Sequence, residues 1–206
     1  MSPHYVADMY DALSSGLGAV RRCGVSCGSA AAFRRDSGHG VRNGAWLRDD
    51  APGAGIPQAL AAKVARPESQ VVCVIGDGAM GFHPQEIETA VRNGLNVIYI
   101  VLCDKQWGMV KLTQQMTLGT MRPVMGLKGY NTINADLGEI AFDKVAQAMG
   151  CHGERVANPD DLQGALERSI ASGLPAVIHV DVDPGMHLFA PGLQEFKAMH
   201  QEPAGK

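Results

Sequence analysis

The chain has no apolar run near the roughly 20 residues that a membrane-spanning helix needs, so no such span is expected. Excess charge of either sign is also missing. Eighteen Lys and Arg stand against 21 Asp and Glu, a net charge of -3 with a pI near 6.1. Neither nucleic acid nor an anionic membrane surface is therefore expected as a partner. A disulfide framework is excluded by count and spacing, because the five cysteines fall singly at 23, 27, 73, 103 and 151. The charged start and apolar stretch of a signal peptide are absent, so a reducing cytoplasm is the expected location. Residues 1–50 contain no Lys and no Glu, but six Arg and seven Gly.

What is present divides into two textures. The first fifty residues form a leader with one amphipathic helical stripe, Tyr5, Val6, Met9, Tyr10 and Leu13. Beyond it, "GVSCGSAAAFRRDSGHGVRNG" has no usable period and reads as irregular. Cys23 and Cys27 lack a second pair or a nearby His, so a zinc site is not expected there. Residues 51–206 read as one domain. "GIPQALAAKVA" suits a helix ending before Pro67, and Val71–Ile75 is a short run suited to a strand buried on both faces. A helix follows His83-Pro84-Gln85-Glu86, with Ile87, Ala90 and Val91 facing inward until Asn93-Gly94. "NVIYIVLCD" is a second buried strand. Two further helices end at Gly150 and Gly173, and "AVIHVDVD" alternates as a strand exposed on one side, His179 included. Strands alternating with helices predict an α/β fold: a doubly wound, mostly parallel sheet with helices on both faces. Residues 112–137 show no clear period and read as a long loop, either a lid over a site or ordinary filling.

The chemistry concentrates in "VVCVIGDGAMGFHPQE". Gly76-Asp77-Gly78-Ala79-Met80-Gly81 matches G-x-G-x-x-G after a strand, the outline of a dinucleotide site. Yet Asp77 stands where a pyrophosphate would sit, and a carboxylate facing a phosphate in a water-poor crevice is costly. A divalent cation removes the conflict, since Mg²⁺ takes one or two carboxylates together with substrate phosphates. That reading needs a second oxygen ligand at the mouth of the next strand, and Asp104 supplies it. Asp104 lies 26 residues beyond Gly78, so spacing alone leaves the Rossmann alternative, an NAD site, standing. The interior aspartate puts the metal–diphosphate reading ahead.

"GDGAMGFHPQEIETAVRNGLNVIYIVLCDKQWGMV" resembles the thiamine diphosphate (ThDP) motif, in its acetolactate synthase-like form. "APGAGIPQALAAKVARP" resembles the segment that precedes that motif in the same family. The resemblance implies Mg²⁺ held by the side chains of Asp77 and Asp104 and by the main-chain carbonyl of Gln106. It implies that Gly76 opens the diphosphate loop, that Gly78 and Ala79 present N–H groups to it, and that Gly108 and Met109 lie against the cofactor beside Trp107. It further implies a 2-oxo acid substrate, decarboxylation or carboligation, and a homodimer or a hetero-oligomer with a chain carrying a pyrimidine-binding domain.

Three departures accompany the resemblance. The family's Asn pair is Cys103-Asp104 here, Pro52 stands where a Met supports the bent cofactor, and residues 1–50 are not family-like. The activating glutamate of the pyrimidine domain has no counterpart, because no Glu precedes Glu68. The chain is therefore expected to be incomplete as an enzyme. A subunit of a two-chain enzyme, a truncated form and a noncatalytic module are the three possibilities.

Overall fold

The computed structural model describes residues 22–27, 33–34, 42–43, 53–125 and 132–185, with side chains from residue 53 on except at 116 and 118–125. Among the described residues, seven strands form one sheet in the order β3-β2-β1-β4-β5-β7-β6. They are β1 (Arg22–Cys27), β2 (Phe33–Arg34), β3 (Arg42–Asn43), β4 (Gln70–Gly76), β5 (Val97–Cys103), β6 (His152–Val156) and β7 (Ala176–Asp181). Pairing is parallel from β1 through β4, β5 and β7 to β6, while β2 and β3 join as antiparallel strands at one edge.

Alternation along β4 and β5 divides the core. Val71, Cys73, Ile75, Val97, Tyr99 and Val101 face one side. There they meet Ile56, Ala59 and Leu60 of α1 (Gly55–Ala65), Ile87 and Ala90 of α3 (Glu86–Arg92), and Phe142 and Ala146 of α5 (Phe142–Ala148). Val72, Val74, Ile98, Ile100 and Leu102 face the other side and meet Leu162, Ala165 and Leu166 of α6 (Leu162–Ser172). Both faces are thus covered, as crossover connections between parallel strands require. α2 (Asp77–Met80) is a single turn at the end of β4, and α4 (Gly108–Met125) follows the loop after β5.

Three expectations change. Part of the leader read as irregular pairs into the sheet, with β1 in register beside β4 from Arg22↔Gln70 to Cys27↔Ile75. Its cue is the period-two run Cys23-Val25-Cys27, too short to stand out among glycines. Residues 108–125, mostly assigned to a long loop, are helical; Met109, Leu112 and Met116 have helical spacing that the threonines and Gly119 obscure. β6 begins at His152, at the helix-to-strand junction expected around Cys151-His152, and its "HGERV" run buries only Val156. β7 is buried along both faces, so the solvated side expected for His179 is replaced by a position only 1% exposed. The expected helix at Tyr5–Leu13, Pro52 and the tail beyond residue 185 lie outside the described residues.

Candidate functional site

The carboxyl ends of β4 and β5 lie side by side, with Gly76 opposite Leu102. Asp77 follows directly, only 7% exposed, and its carboxylate clamps the two ends together. Oδ1 accepts from the Gly78 N–H at 2.8 Å, and Oδ2 accepts from the Lys105 N–H at 2.8 Å. Such charge-assisted bonds are worth roughly 1.5–3 kcal/mol each, so the clamp fixes the loop after β5 relative to the motif. Asp104, 6% exposed, accepts from the Gln106 side-chain amide at 3.1 Å. The same amide donates to the Pro184 carbonyl at 2.8 Å, which ties this loop to the chain leaving β7.

The pairing of the loop after β5 sets the direction of the Gln106 backbone. Gln106 pairs antiparallel with Asp136, and the flanking bonds run from Trp107 N–H to Ala135 O and from Leu137 N–H to Lys105 O, each 2.8 Å. A residue between two such bonds is the non-hydrogen-bonded member of its pair, so its own N–H and C=O face away from the partner. That leaves the Gln106 carbonyl directed away from Asp136. Two carboxylates and a carbonyl are hard oxygen donors suited to Mg²⁺. Among the described residues no three His, Cys, Asp or Glu side chains gather as a softer metal centre.

The second glycine of the motif has a packing reason. A Cβ on Gly78 would come within 2.9 Å of the Trp107 indole, so the bare backbone lets the ring lie against the loop. Phe82 meets Trp107 edge-on, with centroids 5.5 Å apart, and Phe82, Met109 and Val110 are exposed apolar groups. The Gly78 N–H, expected to face a diphosphate, donates to Asp77; Gly108 is half-buried nearby, and His83 is exposed. Asp77, Gly78, Ala79, Asp104, Gln106, Trp107, Gly108 and Met109 thus gather on the ends of two adjacent strands.

Beneath the clamp a small cavity is lined by Asp77, Cys103, Lys105, Glu139, Phe142 and His179, among others. Cys103 Sγ lies 3.5 Å from His179 Nδ1. Burial pushes the Cys103 thiol well above its ordinary range, reinforced by nearby Asp77 and Asp181, so it remains a thiol. His179 Nε2 has no hydrogen-bond partner; Asp181 Oδ1 stands 3.4 Å away, misaligned, and Arg155 engages both Asp181 oxygens. Burial, then Arg155, holds the His179 pKa below its ordinary 6.5, against the opposing pull of Asp181 and Asp143. The neutral ring therefore contributes stability in full above pH 6.5, and that contribution is lost as pH falls toward the folded value, because the unfolded chain takes the proton first. Thermal denaturation between about pH 7.5 and 5.5 is expected to show this loss, and His179→Gln to flatten it. An unchanged slope in the variant would exclude His179 as its source.

A mostly parallel sheet with helices on both faces, carrying acidic loops at the ends of adjacent strands, defines an α/β domain with its candidate site at the strand ends. Comparison with known proteins specifies it further. Residues 50–180 match the family described as thiamine pyrophosphate enzyme, C-terminal TPP binding domain. The chain belongs to that family, and the Rossmann alternative falls. The acetolactate synthase large subunit IlvG of Mycobacterium tuberculosis is 41% identical over 147 residues, 69% of this chain and 25% of that protein. The acetolactate synthase isozyme 2 large subunit of Escherichia coli is 34% identical over 131 residues, 64% of this chain and 22% of that protein. The chain spans about a quarter of the length of these curated relatives. Among solved structures, a thiamine diphosphate-dependent 4-hydroxybenzoylformate decarboxylase of Rhodococcus jostii aligns with a TM-score of 0.52 at 26% identity, covering 64% of this chain and 23% of that one. A benzoylformate decarboxylase of Polynucleobacter necessarius aligns with a TM-score of 0.55 at 23% identity, covering 66% and 24%, and supports the fold alone.

Proposed function

We propose that this chain binds ThDP through Mg²⁺, as the diphosphate half of a 2-oxo acid decarboxylase or carboligase of the acetolactate synthase type. The observation that carries the reading is the Asp77 clamp, which brings two buried carboxylates and the Gln106 carbonyl to neighbouring strand ends. In this reading Asp77, Asp104 and Gln106 hold the cation. Ala79, in the first turn of α2, would offer its N–H to a diphosphate oxygen. Trp107, Gly108 and Met109 wall the cofactor on the other side. ThDP, when bound, supplies the carbanion chemistry, and the protein orients it and excludes water. The activating glutamate comes from a pyrimidine-binding domain on a partner chain, so the working form is an oligomer.

Calorimetric titration of the purified chain with ThDP, with and without Mg²⁺, tests the reading. Saturable binding that requires Mg²⁺ is expected, with quenching of Trp107 fluorescence measured in a Trp46→Phe background. Binding unaffected by EDTA, or none at all, would overturn it. Turnover restored only on adding a pyrimidine-domain chain is the expected companion result.

A further inference from the structure

The loop that carries Asp104 and Gln106 is held from a second direction. Lys105, between them, adopts a left-handed backbone (φ 58), an uncommon conformation for a residue with a side chain. Such conformations persist where the surroundings over-determine them. Three bonds do so here. The Lys105 N–H donates to Asp77 Oδ2, its C=O accepts from the Leu137 N–H, and its Nζ donates to Glu139 Oε2 at 2.9 Å.

The third bond continues outward. Glu139 Oε1 accepts from Arg155 Nη1 at 2.8 Å, and Arg155 Nε and Nη2 fork onto both oxygens of Asp181 at 2.8 and 2.7 Å. Arg155 lies on β6, at the sheet edge, two strands away from β5. Its two-oxygen grip on Asp181 fixes the guanidinium plane, so the third nitrogen meets Glu139 at little further entropic cost. The shared Glu139 carboxylate, held below its ordinary range by Lys105 and Arg155, passes the constraint on.

We infer that Arg155 is a positioning residue for the candidate metal–diphosphate site, acting through Glu139 and Lys105 on the loop backbone that Asp77 grips. This strap rests on the reading of Asp77, Asp104 and Gln106 as the ligating set. It joins the sheet edge to the site through exposed ion pairs, which salt screens. The site's affinity therefore depends on a residue that touches neither cation nor cofactor.

The test reads the strap and the site separately. Amide hydrogen exchange at residue 105 of the full chain, without ligand, is compared in Arg155→Met, Arg155→Lys and a control, Arg168→Met. Arg168 pairs with Glu154 on the same strand but outside the strap. Arg155→Met is expected to speed exchange at residue 105 about three- to fivefold, Arg155→Lys less, and Arg168→Met not at all. In a Lys105→Met background the Arg155→Met effect should vanish, whereas a purely structural role would leave it intact. Mg²⁺-dependent ThDP affinity should fall by about twofold or more in Arg155→Met, through looser positioning of the ligating loop, and about 0.5 M KCl should reproduce much of the loss. Equal acceleration by Arg155→Met and Arg168→Met, or an Arg155 effect undiminished by Lys105→Met, would overturn the inference. Coupled exchange in a chain that binds no ThDP would sustain the strap and overturn the functional reading instead.

Discussion

Replacing Asp77 by alanine is expected to abolish Mg²⁺-dependent ThDP binding and to cost the free fold about 2–4 kcal/mol. Both effects have one origin. The carboxylate is 7% exposed and accepts backbone N–H groups from Gly78 and Lys105, one from each strand end. Removing it leaves two donors competing for water in a tight turn and frees the loop that presents Asp104 and Gln106. Alanine alone would confuse a lost ligand with a lost clamp. Asp77→Asn separates them, because the amide keeps one acceptor oxygen for a backbone N–H while losing the charge. Thermal denaturation should place the stability of Asp77→Asn between those of wild type and Asp77→Ala. Calorimetry should still show metal-dependent affinity down by more than about a hundredfold. Retention of Mg²⁺-dependent binding in Asp77→Asn within about threefold of wild type would sink the assignment of Asp77 as a cation ligand.

The elements legible in the sequence are those whose burial is uniform. β4 and β5 read as strands because every residue of β5 is buried, and only apolar residues fill such a strand. α1 and α6 are legible from spacing, and Gly173 ends α6 in a left-handed turn as expected. The placement of Asp77 and Asp104 at adjacent strand ends is legible because each carboxylate closely follows an apolar run. β6 is faint because an edge strand buries little, and β7 misleads because His179 and Asp181 mimic a solvated face. That histidine is accommodated by Cys103 and by Phe142, whose ring lies 6.4 Å from it, contacts that no local pattern encodes. The strap is equally invisible. Lys105, Glu139, Arg155 and Asp181 come from four separate segments, and only the order β5-β7-β6 brings them together.

The same order gives the second large expectation, Gly153→Ala. Gly153 sits on β6 where α5 crosses it, and a Cβ there would lie 2.1 Å from the Asp143 carbonyl oxygen and 2.9 Å from Gln147 Cγ. The Gln147 side chain can turn aside, although it would give up its 2.7 Å bond to the Gly153 carbonyl. The Asp143 oxygen belongs to the backbone of α5 and cannot yield without moving the helix. Overpacking of this kind costs about 3 kcal/mol, a fall in Tm of roughly 6–12 °C for a chain of this size. Gly138→Ala is the matched control, since nothing lies within 4 Å of a Cβ there and the cavity wall should absorb it within about 0.5 kcal/mol. If Gly153→Ala melts within about 1 °C of wild type, α5 does not press on β6 as closely as these distances state. The expected displacement has a further consequence two residues along the strand. Pushing β6 away from α5 shifts Arg155 relative to Asp181 and Glu139, so the glycine variant should also weaken Mg²⁺-dependent ThDP binding at a site it never approaches. A single missing methyl group at the sheet edge would then connect tight packing to the geometry of the metal loop.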